Sequence, residues 1–244
     1  MPMPNKRILV LGGTSDANVL AKELLKSGFD VVTSFAGVTK NPVLPEGEVR
    51  VGGFGGEDGL YDYLKAEGFA ALADATHPFA AQISRHGFNA AERAGIAYLR
   101  LERAAWTPLP ADNWISVPTN GAAVAALPDG ARVLLTIGRK EIAAFLARED
   151  LSGVVRMIEK PPFELPPYWA LVLARPPFSV EAERELLAFH KITHLVTKNA
   201  GGKLTVAKLM AARAQRIPVV MIERPQKPLT SAFGSASALV AALS

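Results

Sequence analysis

The chain contains no cysteine, which excludes disulfides, thiolate metal sites and a cysteine nucleophile and is compatible with a reducing cytoplasm. Histidine is scarce: four residues, scattered at 77, 86, 190 and 194, a distribution that argues against zinc. HExxH, GxSxG and acidic clusters of the metal-binding kind are all missing, so no metal is expected. No apolar run approaches the roughly 20 residues needed to span a bilayer. The opening MPMPNKR leads directly into a strand-like run, without the apolar core of a signal peptide. No block of five like charges occurs, and Lys and Arg alternate with Asp and Glu, which speaks against a nucleic-acid arm. These absences lead us to expect a cytoplasmic protein with neither a membrane nor a nucleic-acid partner.

What is present is a chain of 244 residues, 49% hydrophobic and 20% charged, with a net charge of +4. That length supports one large domain or two small ones. The modest cationic excess suits a pocket for an anionic small molecule. Strand-like runs occur at residues 7–11, 30–35, 69–74, 97–101, 132–137, 154–158, 169–174, 194–197 and 219–222. Helical patterns separate many of them, the clearest with Ala17, Leu20, Ala21, Leu24 and Leu25 at i, i+3, i+4, i+7 and i+8 and closed by Gly28. Such alternation implies parallel sheets covered on both faces. Residues 104–130 hold four prolines and break the rhythm. The expected division is therefore 1–112 and 113–244: an α/β protein of two Rossmann-like parallel-sheet domains with a cleft between them. Residues 114–117 could pair with either sheet.

In such sheets ligands sit beyond the carboxyl ends of the strands. The first of these loops, Gly12-Gly13-Thr14-Ser15, follows an apolar strand and precedes a helix, as a pyrophosphate-binding turn does. Thr14 replaces the usual second glycine and supplies a hydroxyl for phosphate, whereas Asp16 would repel a phosphate placed directly there. The second strand ends in Thr33-Ser34 with no acid, and Lys40 lies nearby, which favours a 2′-phosphate and hence NADPH. Four glycines in "VGGFGG", residues 51–56, allow close backbone approach. Tyr61 and Lys65 have YxxxK spacing but stand too early in the fold, and are read as packing and surface. "DATHPFA", residues 74–80, puts Thr76 and His77 at a strand end. Pro78 holds His77 extended, where an imidazole can donate a proton. Arg103, Arg139, Arg175 and Lys198 follow further strands, a pattern that suits carboxylates. His194 lies within a strand and reads as structural.

Taken together, "VLGGTSDANVLA", "VGGFGGEDGL", "DATHPFAAQIS", "LERAAW", "LLTIGRKEI" and "TKNAGGKLTVAKLMAARAQRIPVVMIERP" resemble the precorrin-6A reductase family over nearly the whole chain. The resemblance implies NADPH-dependent reduction of one macrocycle double bond of precorrin-6A to give precorrin-6B, in cobalamin biosynthesis. It implies that Gly12, Gly13, Thr14, Ser15, Ser34 and Thr76 carry the cofactor and that His77 is the catalytic candidate beside the nicotinamide, the proton for net reduction coming from His77, from water or from the substrate's own acids. Arg103, Arg139, Lys198, Asn199 and Gly201 would meet the polycarboxylate substrate, and neighbouring pathway enzymes are further partners to consider. The chain departs from the family pattern at Val38, where an arginine is usual, and in Arg103-Ala104-Ala105-Trp106 and Arg175-Pro176-Pro177-Phe178. The alternatives are another NAD(P)-dependent oxidoreductase and a non-catalytic NADP-sensing protein.

Overall fold

A computed structural model describes residues 6–37 and 43–243. The expectations placed on Val38 and Lys40 lie outside the described residues. The chain starts β1 (Arg7–Leu11), α1 (Ser15–Lys26), β2 (Asp30–Phe35), β3 (Glu48–Val51), α2 (Glu57–Glu67), β4 (Ala71–Asp74), α3 (Ala81–Ala94) and β5 (Ala97–Leu101). It continues as β6 (Trp114–Val117), α4 (Asn120–Ala125), β7 (Arg132–Thr136), α5 (Ala143–Leu146), β8 (Ser152–Met157), β9 (Trp169–Leu173), α6 (Val180–Phe189), β10 (His194–Lys198), α7 (Ala207–Ala214) and β11 (Val219–Ile222). It ends with β12 (Ala232–Phe233) and α8 (Ala236–Leu243).

The strands form two six-stranded sheets, β12-β5-β4-β1-β2-β3 and β6-β11-β10-β7-β8-β9. Every pairing is parallel. Counted in chain order, the first sheet reads 3-2-1-4-5-6, the dinucleotide-binding order, and its order reverses between β1 and β4. The second repeats that order from β7 onward, with the preceding strand β6 in the sixth place. Residues 114–117 therefore belong to the second sheet, where Val219 is level with Trp114.

Two compact units result: Met1–Ala104 with Pro225–Ser244, and Ala105–Arg224. The expected boundary at 112/113 differs from this at both ends, for two physical reasons. The last twenty residues return to the first sheet: Arg100 N–H donates to Ser231 O at 3.1 Å and Glu102 N–H to Phe233 O at 2.9 Å. Residues just after 104 are tied to the second unit, where the Arg213 guanidinium holds Asp112 at 2.8 Å.

The alternation of β1 explains how the first unit is covered. Ile8 and Val10 share a core with Leu20 and Leu24 of α1 and Leu239 and Leu243 of α8. Leu9 and Leu11 point the other way, onto Leu60 and Leu64 of α2 and Ala90 and Ala91 of α3. A strand with both faces covered reads as a continuous apolar run, as RILVL does. In the second unit Leu134, Val154, Leu195 and Val219 form the core with Leu187 and Leu209.

Candidate functional site

The register of the first sheet sets its site. Leu11 is level with Ser34 on one side and Asp74 on the other, so the loops after β1, β2 and β4 emerge at one height, at the point where strand order reverses.

Gly12 is demanded by packing. A Cβ there would lie 2.8 Å from Thr33 Cγ2, and its N–H donates to Ser34 O at 2.9 Å. Gly13 is demanded by conformation, with φ of +99°, and none of the described residues lies within 4 Å of where its Cβ would be. The turn thus presents bare backbone to open space at the start of α1, with the helix N-terminus and its N–H groups behind it, and Ser15 opens that helix. This is a fit for a dinucleotide pyrophosphate.

Thr14 departs from the expected role. Its hydroxyl donates to Ala75 O at 2.8 Å and accepts the Ala17 N–H at 3.1 Å. It is the N-cap of α1 and a tie from the β1 turn to the end of β4, and its proton is already committed. Asp16 does not face a phosphate uncompensated, because Arg103 closes an ion pair with it at 2.6 Å. Arg103 is accordingly brought to the α1 turn, within the first unit, rather than into a set of unpaired cations.

The DATHP loop rests on Asp74, which is 1% exposed. One of its carboxylate oxygens accepts the Thr76 N–H at 3.0 Å and the Thr76 hydroxyl at 2.6 Å. The other accepts the Tyr98 hydroxyl at 2.7 Å. These bonds offset the burial of a charge. Burial first, and the Asp74 charge second, push the Tyr98 phenol far above its ordinary value, so Tyr98 remains a donor. His77 Nδ1 accepts the Phe79 N–H at 3.2 Å. A neutral imidazole so held carries its proton on Nε2.

Asp74, Tyr98 and Lys227 were not singled out by sequence reasoning. Asp74 had a signal, an acid ending a buried strand. Lys227 had none: the returning segment brings it to 3.4 Å from His77 O. Arg50 is a fourth such residue, donating to Ser34 Oγ at 3.4 Å from the neighbouring strand. Tyr61 and Lys65 behave as read, with Tyr61 under the Arg93 guanidinium and Lys65 exposed.

In the second unit the expected cations are largely paired. Lys198 holds Glu141 at 2.7 Å, and Arg175 lies 3.9 Å from Glu159. Arg139, half-buried after β7, forms no ion pair with the described residues. Asn199 uses its side chain on the backbone of Trp106, accepting from its N–H at 2.8 Å and donating to its carbonyl at 3.0 Å. Gly201 and Gly202 both have positive φ, +69° and +82°, so that loop requires glycine. Among the described residues no cluster of three or more His, Asp or Glu could hold a metal, and no helix is long and apolar enough to cross a membrane.

Residues 7–244 match the family of precorrin-6x reductase CbiJ/CobK. The chain belongs to that family. A precorrin-6A reductase from Rhodococcus erythropolis is 48% identical over 224 residues, 91% of this chain and 90% of the relative. A cobalt-precorrin-6A reductase from Priestia megaterium is 33% identical over 253 residues, 97% of each. The solved structure of a CobK precorrin-6A reductase superposes with a TM-score of 0.92 at 44% identity, covering 98% of this chain and 96% of that one. The CbiJ/CobK match spans both sheets, so both units belong to the family's common architecture.

Proposed function

We propose that this chain is a precorrin-6A reductase of cobalamin biosynthesis, reducing one double bond of the macrocycle to give precorrin-6B with NADPH as the reductant. The observation that carries the reading is the near-full-length match to precorrin-6A reductases, joined to a first unit whose glycine turn fits a dinucleotide. A family of reductases needs a nicotinamide cofactor, which supplies a hydride when bound. The choice of NADPH over NADH draws on the end of β2, where Ser34 stands in place of the acid that holds an unphosphorylated ribose. The higher identity to the relative named for precorrin-6A than to the one named for its cobalt form favours a metal-free substrate.

The residues of this chain then divide the work. Gly12, Gly13 and the first turn of α1, Ser15 included, hold the pyrophosphate. Thr14 shapes that turn instead of donating to phosphate. Reduction of a carbon–carbon double bond needs a hydride at one carbon and a proton at the other. His77 is the donor proposed for the second, acting as the imidazolium: Nδ1 releases the Phe79 N–H and takes a proton from solvent, and the ring ends as the neutral imidazole once Nε2 has given its proton up. Thr76, its own proton given to Asp74, offers a lone pair suited to an amide N–H such as the nicotinamide carboxamide. In the second unit Arg139 is the cation ready for a substrate carboxylate. Lys198 becomes one when a carboxylate displaces Glu141. Asn199 and Gly201 contribute by shaping that loop.

An anaerobic assay tests the reading: purified protein, metal-free precorrin-6A, and NADPH or NADH, followed by nicotinamide absorbance and the macrocycle spectrum. Stoichiometric NADPH oxidation with a shifted macrocycle spectrum is expected. Turnover only with the cobalt form would move the substrate assignment. Nucleotide binding without oxidation of either form would replace the reductase with a sensing protein.

A further inference from the structure

Arg50 lies in β3 directly in register with Ser34 of β2. Its guanidinium is fixed on several sides. One terminal nitrogen donates to Gly52 O at 2.7 Å and Ser34 Oγ at 3.4 Å, and the other to Gly53 O at 3.0 Å. Its Cζ sits 3.9 Å from the Phe54 ring centroid and 5.0 Å from that of Tyr63. The glycines of "VGGFGG" make this wrap feasible, with Gly52, Gly55 and Gly56 all at positive φ.

Among the described residues no acid compensates the charge of Arg50. Its bonds go to carbonyl and hydroxyl oxygens, and none of the described carboxylates pairs with it. The nearby acids are taken: Glu48 and Glu67 are held by Arg7 at 3.2 and 3.1 Å. Among the described residues, bonds use three of the five guanidinium N–H groups and leave two. A planar cation locked in orientation, with donors to spare, is suited to a phosphate.

Its position names the phosphate. Ser34 is shared by two neighbours: its carbonyl accepts the Gly12 N–H, and its hydroxyl accepts from Arg50. Arg50 therefore stands across β2 from the turn that fits the pyrophosphate, at the strand end where dinucleotide folds meet the adenosine ribose. We propose that Arg50, with the Ser34 hydroxyl beside it, binds the 2′-phosphate of NADPH and sets the preference for NADPH over NADH. This rests on the reading of the first unit as a nicotinamide-nucleotide site, and it gives Arg50 the part for which Lys40 was the sequence-level candidate.

Binding, rather than turnover, is the test. Dissociation constants for NADPH, NADH and 2′,5′-ADP are measured by calorimetry on the wild type, Arg50→Met and Arg50→Lys, with circular dichroism verifying each fold. The expected result is wild-type preference for NADPH and a loss of about 10- to 100-fold for NADPH and 2′,5′-ADP in Arg50→Met. NADH affinity stays near the wild-type value, and Arg50→Lys recovers part of the loss. Equal weakening of NADPH and NADH would make Arg50 a loop clamp and overturn the proposal. So would a wild type that binds NADH as tightly as NADPH. A wild type that binds no nucleotide removes the cofactor site and this proposal together. Normal binding in a protein that fails the reductase assay would sink the enzymatic reading and leave this assignment standing.

Discussion

His77 holds its proton where it does because a backbone N–H, that of Phe79, occupies the other ring nitrogen. The side chain is half-buried on a loop anchored through Thr76 to a buried carboxylate. If His77, protonated to the imidazolium, supplies the proton that completes the reduction, His77→Ala lowers kcat by about 100-fold or more, the scale of general acid catalysis. NADPH affinity stays unchanged, and near-normal turnover in steady-state kinetics would remove His77 from the role. The motif DATHP made Thr76 and His77 legible because it puts a hydroxyl and an imidazole at a strand end, with a proline holding the backbone extended. Arg50 was not legible in the same way. Its meaning comes from standing level with Ser34, sixteen positions away in sequence, and a pairing register is not written in local composition. Arg103 and Lys198 were visible as cations, but their partners Asp16 and Glu141 are fixed only by the fold.

At the scale of elements, α7 makes the least expected demand. Its second residue, Lys208, is 5% exposed, with its ammonium 5.3 Å from the centre of the Trp106 ring. The Arg156–Glu183 pair, itself buried at 2.7 Å, stands nearby. Burial first, then the Arg156 charge, lowers the Lys208 pKa from 10.5 to about 7, against an opposing pull from Glu183. Between those two values the unfolded chain carries a proton on Lys208 that the folded chain lacks, so stability rises with pH across that window. Lys208→Met is predicted to abolish that rise and to stabilise the protein at pH 7 by an amount on the order of a few kcal/mol. Denaturation midpoints of both proteins from pH 7 to 10 check it, and parallel curves would contradict it.

The same scale shows what patterning can reach. All nine strand-like runs correspond to strands, within a residue or two at their ends. Strands β3, with only four residues and an exposed, charged sequence, and β12, with two, carried too little apolar signal to be read. Both are edge strands, where one flank needs no partner and hydrophobic demand is lowest.

For the whole molecule, the second unit is inserted between the fifth and sixth strands of the first sheet, since β12 pairs with β5 after the chain has built β6 to β11. Alternation of strands and helices made two parallel sheets legible, but not the return of the last segment, because a contact between residues 100 and 231 leaves no periodic trace. That return also delivers Lys227 to the His77 loop, which no reading of either half alone supplies. Two sheets of one strand order give two sets of carboxyl-end loops. Those of the first unit carry the glycine turn and the DATHP loop, and those of the second carry Arg139 and the Lys198 loop.

If a nicotinamide bound by the first unit reduces a precorrin-6A double bond directly, its C4 hydrogen appears in the product. The most direct measurement is a single-turnover reaction under anaerobic conditions with NADPH stereospecifically deuterated at nicotinamide C4, run separately with each of the two C4 epimers. Mass spectrometry then follows the precorrin-6B product. Direct transfer puts one deuterium in the product from one epimer and none from the other. A reduced product carrying no label from either would contradict direct transfer.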